Sequence, residues 1–366
     1  MTVYLAQVFL IGFLGLLIDP NRSENRKRGY LVLVFLILVI ISGLRAYSVG
    51  VDTWNYVRIF NNIHFIDALN TRIEVGFLTY LKLLRIFSED PGIMLFSSSL
   101  ICVGAACLFT YWLSKDAIMS MTLYVLMGSY FAQMNIMRQS LALSISEIAF
   151  IIVLVNGEGL PRKIISGLLL ALATSIHTVA FILFVPYVLV IRRNNDHDGD
   201  TSLTVEKALL RTSVLALVCF VGYSIVMLVA TRLFPSYARY FNSRWSDSNY
   251  NAALFNTMIS VVFAIAGAYI FGNKKLDVTQ RFAAIMIGFS IVFNVLSMRM
   301  EIWSRLAGMF GIYTNLLWVS EFSSEIQDEK SRWILNGCVT LLALAYMLII
   351  LVFRPEWTQV VPYAIR

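Results

Sequence analysis

Residues 29 to 62 read GYLVLVFLILVIISGLRAYSVGVDTWNYVRIFNN. The run from 29 to 47 is apolar over a length that crosses a hydrocarbon core, and it leads directly into a loop carrying Arg45, Asp52, Arg58 and several aromatic residues. Backbone N–H and C=O groups in lipid find no water, so each spanning segment must satisfy its own hydrogen bonds. The run shows helical length and no ten-residue alternation, which selects helices over a barrel. The chain reads as an all-α, polytopic integral membrane helical bundle, and the question is why polar groups crowd the mouth of one of its helices.

The rest of the chain supports that class. Of 366 residues 58% are hydrophobic and only 14% charged, with a mean hydropathy of +0.74, which excludes an ordinary soluble domain. The first run, 3 to 18, has no basic segment before it and no small-residue cleavage site after it, so it reads as a retained span. The net charge of +7 lies in loops, where it sets topology and does not indicate nucleic acid. Cys102, Cys107, Cys219 and Cys338 all sit inside apolar runs as small hydrophobes, and neither a disulfide nor a metal site is expected.

Apolar runs at 3–18, 29–47, 92–113, 117–134, 139–155, 163–176, 178–192, 206–233, 253–271, 281–298, 302–320 and 333–353 predict about twelve crossings in a single transmembrane domain, 1–366. Lys/Arg density assigns loops 19–28, 156–163, 193–205, 272–280 and 321–332 to the cytoplasm, which puts both termini outside. Outer loops are then 46–74 and 234–252. This arrangement requires EVGFLTYLKLLRIF, residues 74–87, to be an interfacial or re-entrant helix on the outer side. The short runs 163–176 and 178–192 predict a shallow hairpin with its tip near His177.

With sides assigned, lysine and arginine separate. Lys82 is the one outer lysine, whereas Arg45, Arg58, Arg72, Arg138, Arg239, Arg244, Arg299 and Arg305 all lie outside. A guanidinium fork binds phosphate bidentately, so this bias points to anion recognition, with lipid-headgroup contacts as the bland alternative. Asn135, Arg138 and Gln139 fall at i, i+3 and i+4, as a shared helix face would require. Glu301 and Arg305 have the same spacing, compatible with a structural or a functional pair. His177 reads either as a core histidine or as a site residue, and His64 and His197 read as loop residues. Asp196, Asp198 and Asp200 in DHDGD mimic a metal-nucleotide motif, but they sit in a short linker without a nucleotide-binding domain around them.

RAYSVGVDTWNYVRIF, then E-V-G, then NIMRQSLA, then SIHTVAF occur in this order. The combination resembles the Wzy-type bacterial surface-polysaccharide polymerases, in the branch typified by the exopolysaccharide protein EpsG. It is close from about 42 to 190; beyond that it rests on the span pattern and the arginines near 299 to 305. The resemblance implies an architecture like that of the polytopic GT-C glycosyltransferases in the bacterial inner membrane. It also implies a reaction in which a growing glycan moves from undecaprenyl pyrophosphate to the non-reducing end of a repeat unit on a second carrier. The expected partners are the undecaprenyl-pyrophosphate-linked oligosaccharide, membrane lipid, a chain-length regulator and a flippase.

Under that resemblance Arg45, Arg138 and Arg305 are first candidates for a pyrophosphate clamp, with Arg299 and Arg239 next. His177 and Asp52 are the candidate general bases, followed by Glu74 and Glu301. Asn135 and Gln139 would orient Arg138 or bind sugar hydroxyls. Trp54, Tyr56, Tyr237, Tyr240 and Trp245 are candidate stacking faces or membrane-interface anchors, and loop 235–251 is a candidate lid. No cofactor or metal is called for, because a diphosphate is already a good leaving group. A ligase, a lipid-phosphate monosaccharide transferase and a flippase remain the alternatives; the flippase fits least, since the unusual residues gather at one face.

Overall fold

Twenty-residue apolar stretches have one means of satisfying their backbone in lipid, and the computed structural model contains the helices this demands. It describes residues 1–66, 71, 73–155, 159–194, 205–233 and 249–366. DHDGD, His197, Arg72 and the 234–248 segment with Tyr237, Arg239, Tyr240, Arg244 and Trp245 lie outside the described residues. In chain order the helices are α1 (Thr2–Ile18), α2 (Glu24–Gly43), α3 (Thr53–Asn61), α4 (Val75–Phe87), α5 (Gly92–Leu113) and α6 (Ala117–Leu126). They continue with α7 (Ser129–Asn135), α8 (Met137–Val155), α9 (Leu160–Ile176), α10 (Phe184–Asn194), α11 (Val205–Val221) and α12 (Tyr223–Leu233). The last are α13 (Tyr250–Phe271), α14 (Val278–Ser297), α15 (Trp303–Tyr313), α16 (Val319–Ser324), α17 (Glu329–Leu348) and α18 (Pro355–Thr358).

Among the described residues five helices are long and apolar enough to cross a membrane, or six if the pair α11 and α12, bent by 85°, counts as one. By length and composition, five or six of the twelve expected crossings are thus found among the described residues; the 29–47 run lies on α2, which is twenty residues long but carries Glu24, Arg26, Lys27 and Arg28 and is not among them. The run 117–134 breaks at Gly128, whose φ of +83° favours glycine, and the run 302–320 loosens into a π turn at Thr314–Trp318. The 206–233 run bends at Gly222. Thr2–Ile18 reaches only about 25 Å at 1.5 Å per residue. Residues 74–87 supply the short amphipathic α4, which buries Phe77, Leu78 and Leu81 and exposes Val75, Lys82, Ile86 and Phe87.

The chain divides into two compact units. The first comprises Met1–Asn195, Asn315–Ser320 and Asp328–Arg366. Its core is built on α5 and α8, where Val103, Ala106, Phe109, Ala142, Ala149 and Phe150 are buried. Ser144 and Ser146 return their hydroxyls to the carbonyls four residues earlier, which satisfies them without water. The second unit comprises Asp196–Thr314 and Glu321–Gln327. There Phe289, Phe310, Phe293 and Trp303 form a stacked ladder with centroids 5.0 to 5.8 Å apart.

A strap formed by the C-terminal residues closes one end of the first unit. Tyr4 donates to the Val360 carbonyl (3.0 Å) and Tyr363 to that of Ile41 (2.9 Å). The amides of Gly50 and Ala46 donate to Gln359 and Ala364, and Arg366 donates back to Leu44. Large apolar side chains such as Phe9, Leu17, Leu217 and Leu341 remain exposed on helix faces, as lipid-facing surfaces do.

Candidate active site

Three segments far apart in sequence meet in the first unit. Glu74 occupies the N-cap position of α4 in an extended conformation. His177 follows the last residue of α9, also extended, with its amide closing the helix onto Ala173. Arg138 stands in the first turn of α8. Glu74 Oε2 accepts from Arg138 at 2.5 Å, and Oε1 accepts from the Thr178 amide at 3.2 Å and lies 3.1 Å from His177 Nδ1.

Gly76 explains how this contact forms. A Cβ at Gly76 would stand 2.6 Å from the Ser175 carbonyl oxygen, so only glycine lets α4 approach the end of α9 this closely. That approach places a carboxylate two residues earlier against a histidine two residues later. Tyr56 is buried beside Arg138 and packs edge-on against Phe77 at 5.8 Å. Glu74 and His177 side chains are only 14% and 12% exposed, whereas Arg138 keeps 30% of its surface open.

Burial works to raise the Glu74 carboxyl, but the His177 hydrogen bond and the Arg138 charge outweigh it and hold the group down at about 2. Glu74 is therefore ionised at neutral pH and can only accept. It follows that Nδ1 of His177 carries a proton, and in the neutral imidazole Nε2 is then the hydrogen-bond acceptor. Because the folded value lies below the ordinary 4.5, the stabilisation is fully present above that pH and is lost as pH falls toward 2. Glu74→Gln is expected to cost about 1–2 kcal/mol after screening. Thermal unfolding in detergent should show a gap to wild type that narrows as pH falls below 4.5.

The other candidates take different positions. Arg45 is 1% exposed: its guanidinium donates to the backbone carbonyls of Ser42 (2.5 Å) and Met134 (3.3 Å) beneath the strap. Asn135 and Arg138 do not share a helical face, because α7 ends at Asn135 and Ile136 leaves helical geometry at φ −102°, ψ 57°. The break turns Asn135 to the first loop, where its Oδ1 accepts from the Val51 amide at 2.7 Å. Gly50, at φ +102°, makes room for this, since a Cβ there would meet the Met134 carbonyl at 2.6 Å. Gln139 is buried, and Asp52 is half-buried at the start of α3, its Oδ1 accepting from the Asn55 side-chain Nδ2 at 3.5 Å. Trp54 is exposed and edges onto Tyr47 at 5.7 Å.

Arg299, Glu301 and Arg305 belong to the second unit. Arg299 is exposed and lies over the Phe220 ring at 4.3 Å. Glu301 sits in the turn before α15 and not on the helix with Arg305, and both are half-buried. Sequence reasoning missed Glu147, which is buried in α8 with neither oxygen hydrogen-bonded; an ionisable residue in an apolar run was the available signal. Among the described residues no three His, Cys, Asp or Glu side chains are grouped to hold a metal ion, and all four cysteines are free.

The helices and this cluster define the class: a polytopic helical membrane protein carrying a carboxylate-centred Arg–His site beside its first loop. The model of the EpsG family matches residues 29–365, and the chain belongs to that family. Membership points to an exopolysaccharide-related, glycosyltransferase-type polymerase of the membrane. No curated protein and no solved structure matches the chain.

Proposed function

We propose that this protein polymerises lipid-linked repeat units on the outer face of the bacterial inner membrane. The donor is a growing glycan on undecaprenyl pyrophosphate, and the acceptor is a repeat unit on a second such carrier. The observation that carries the reading is the Glu74 carboxylate bound at once by Arg138 and His177. It supports a division of labour between one cation and one base.

In this reading Nε2 of His177 takes the proton of the acceptor hydroxyl as its oxygen bonds to the anomeric carbon of the donor. The anomeric C–O bond to the diphosphate breaks, and its electron pair leaves with the phosphate oxygen. The partly exposed Arg138 receives the developing charge through the guanidinium donors that Glu74 does not use. Glu74 holds both groups in place and fixes the histidine tautomer. Tyr56 supports Arg138 from the buried side. Arg45 and Asn135 hold the first loop, and the reading gives Arg299, Glu301 and Arg305 no step. It calls on no metal or other cofactor.

Deleting the gene in its host and sizing the lipid-linked saccharides tests the reading. Accumulation of single complete repeat units, with loss of long chains, is expected. Long lipid-linked chains stranded short of their acceptor would identify a ligase instead, and incomplete repeat units a monosaccharide transferase. Complete units confined to the inner leaflet would identify a flippase.

A further inference from the structure

The N-terminal half of α2 and the C-terminal half of α5 bound a groove of about 460 Å3. Val32, Phe35, Leu108 and Trp112 supply apolar walls, and Gly104 leaves the space between them open. Val32, Leu108 and Trp112 are all exposed. At the basic end of α2 the groove opens beside Arg28. The neighbouring cations are engaged, Arg26 with the Ile18 carbonyl (3.3 Å) and Lys27 with that of Ser114 (2.8 Å). Arg28 is exposed, and its guanidinium makes no hydrogen bond or ion pair with the described residues.

From this juxtaposition we infer that the groove binds an anionic phospholipid of the surrounding bilayer, one acyl chain against Phe35 and Gly104 and its phosphate on Arg28. An apolar groove ending at a guanidinium with no partner among the described residues matches one acyl chain of a phospholipid with its anionic phosphate at the chain's end. A second copy fits less well. A twofold axis along the membrane normal would bring Arg26, Lys27 and Arg28 against the same three cations. A polyprenyl carrier is the other phosphate-bearing lipid, but Arg28 and the Arg45 end of α2 are separated by about 25 Å of helix. The groove is thus distinct from the candidate active site.

The test uses the full chain purified in mild detergent, with native mass spectrometry during titration by phosphatidylglycerol, phosphatidylcholine and decaprenyl monophosphate. Phosphatidylglycerol is expected to be retained at about one per chain and in preference to phosphatidylcholine. Arg28→Ala should weaken that retention about five-fold. Gly104→Leu, which projects a side chain into the groove, should abolish it. Gly104→Ala should bind as wild type, since its Cβ meets only Phe35 at an ordinary 3.5 Å. Equal retention of the two phospholipids, or unchanged binding by Arg28→Ala, overturns the inference. Displacement of phosphatidylglycerol by an equimolar amount of decaprenyl monophosphate overturns the choice of lipid.

Discussion

Replacing His177 with alanine is expected to slow chain extension by about 10²–10⁴-fold, the range that a positioned general base supplies. The measurement is the rate of polymer formation from purified lipid-linked repeat units, with carrier-bound product sized over time. His177→Ala should leave the affinity for the donor nearly intact, because the phosphate contact is assigned to Arg138. Glu74→Gln should give a large part of the same loss by a different route. A neutral amide can donate to Nδ1 and move the imidazole proton to Nε2, where it blocks the base. Full activity in His177→Ala would remove the histidine from the chemistry and leave Asp52 as the next base to test.

Arg138→Ala is expected to lower the same rate by about 10²–10³-fold, the cost of one preorganised donor to a developing anion. Arg138→Lys should recover little, because a point charge cannot hold Glu74 and a phosphate oxygen together through one planar fork. Binding of undecaprenyl pyrophosphate should weaken in step with the rate. An Arg45 substitution separates the two arginines: its guanidinium is bonded to backbone carbonyls under the strap. Arg45→Ala should therefore reduce yield and melting temperature before it touches the rate of correctly folded protein. Unchanged turnover in Arg138→Ala would end the assignment of the phosphate contact to it.

Class was readable because it depends on composition: apolar runs in lipid must be helices, whatever their neighbours are. Span number was not readable to the same degree. The breaks at Gly128, Gly222 and Thr314 fall inside runs whose hydropathy is continuous, so hydropathy alone does not mark where such a run bends. The spacing of Asn135, Arg138 and Gln139 misled for a related reason. One residue, Ile136, leaves helical geometry, and the face that the spacing describes no longer exists.

Glu74, Arg138, His177 and Tyr56 could each be named from the sequence as polar residues at helix mouths. Their meeting could not, since Glu74 and His177 are 103 positions apart and no periodicity encodes that contact. The nearest clue was the E-V-G triplet, in which glycine permits the close approach. Arg45 illustrates the reverse case. Its position at a helix mouth suggests an exposed cation, yet the strap and two backbone carbonyls enclose it.

The strap also constrains the order in which the molecule can be completed during synthesis. Residues 44 to 50 form hydrogen bonds with residues 359 to 366, which leave the ribosome more than three hundred residues later. Until then the first loop lacks those partners, and Arg45 lacks its cover. The Gly50–Asn135 junction beside Arg138 must wait in the membrane with an open flank. A nascent chain stopped after α17 would hold Glu74, Arg138 and His177 and still lack the brace on the neighbouring loop. Maturation of the loop is thereby tied to synthesis of residues 359–366, and copies that stop short of them are kept from presenting a finished first loop.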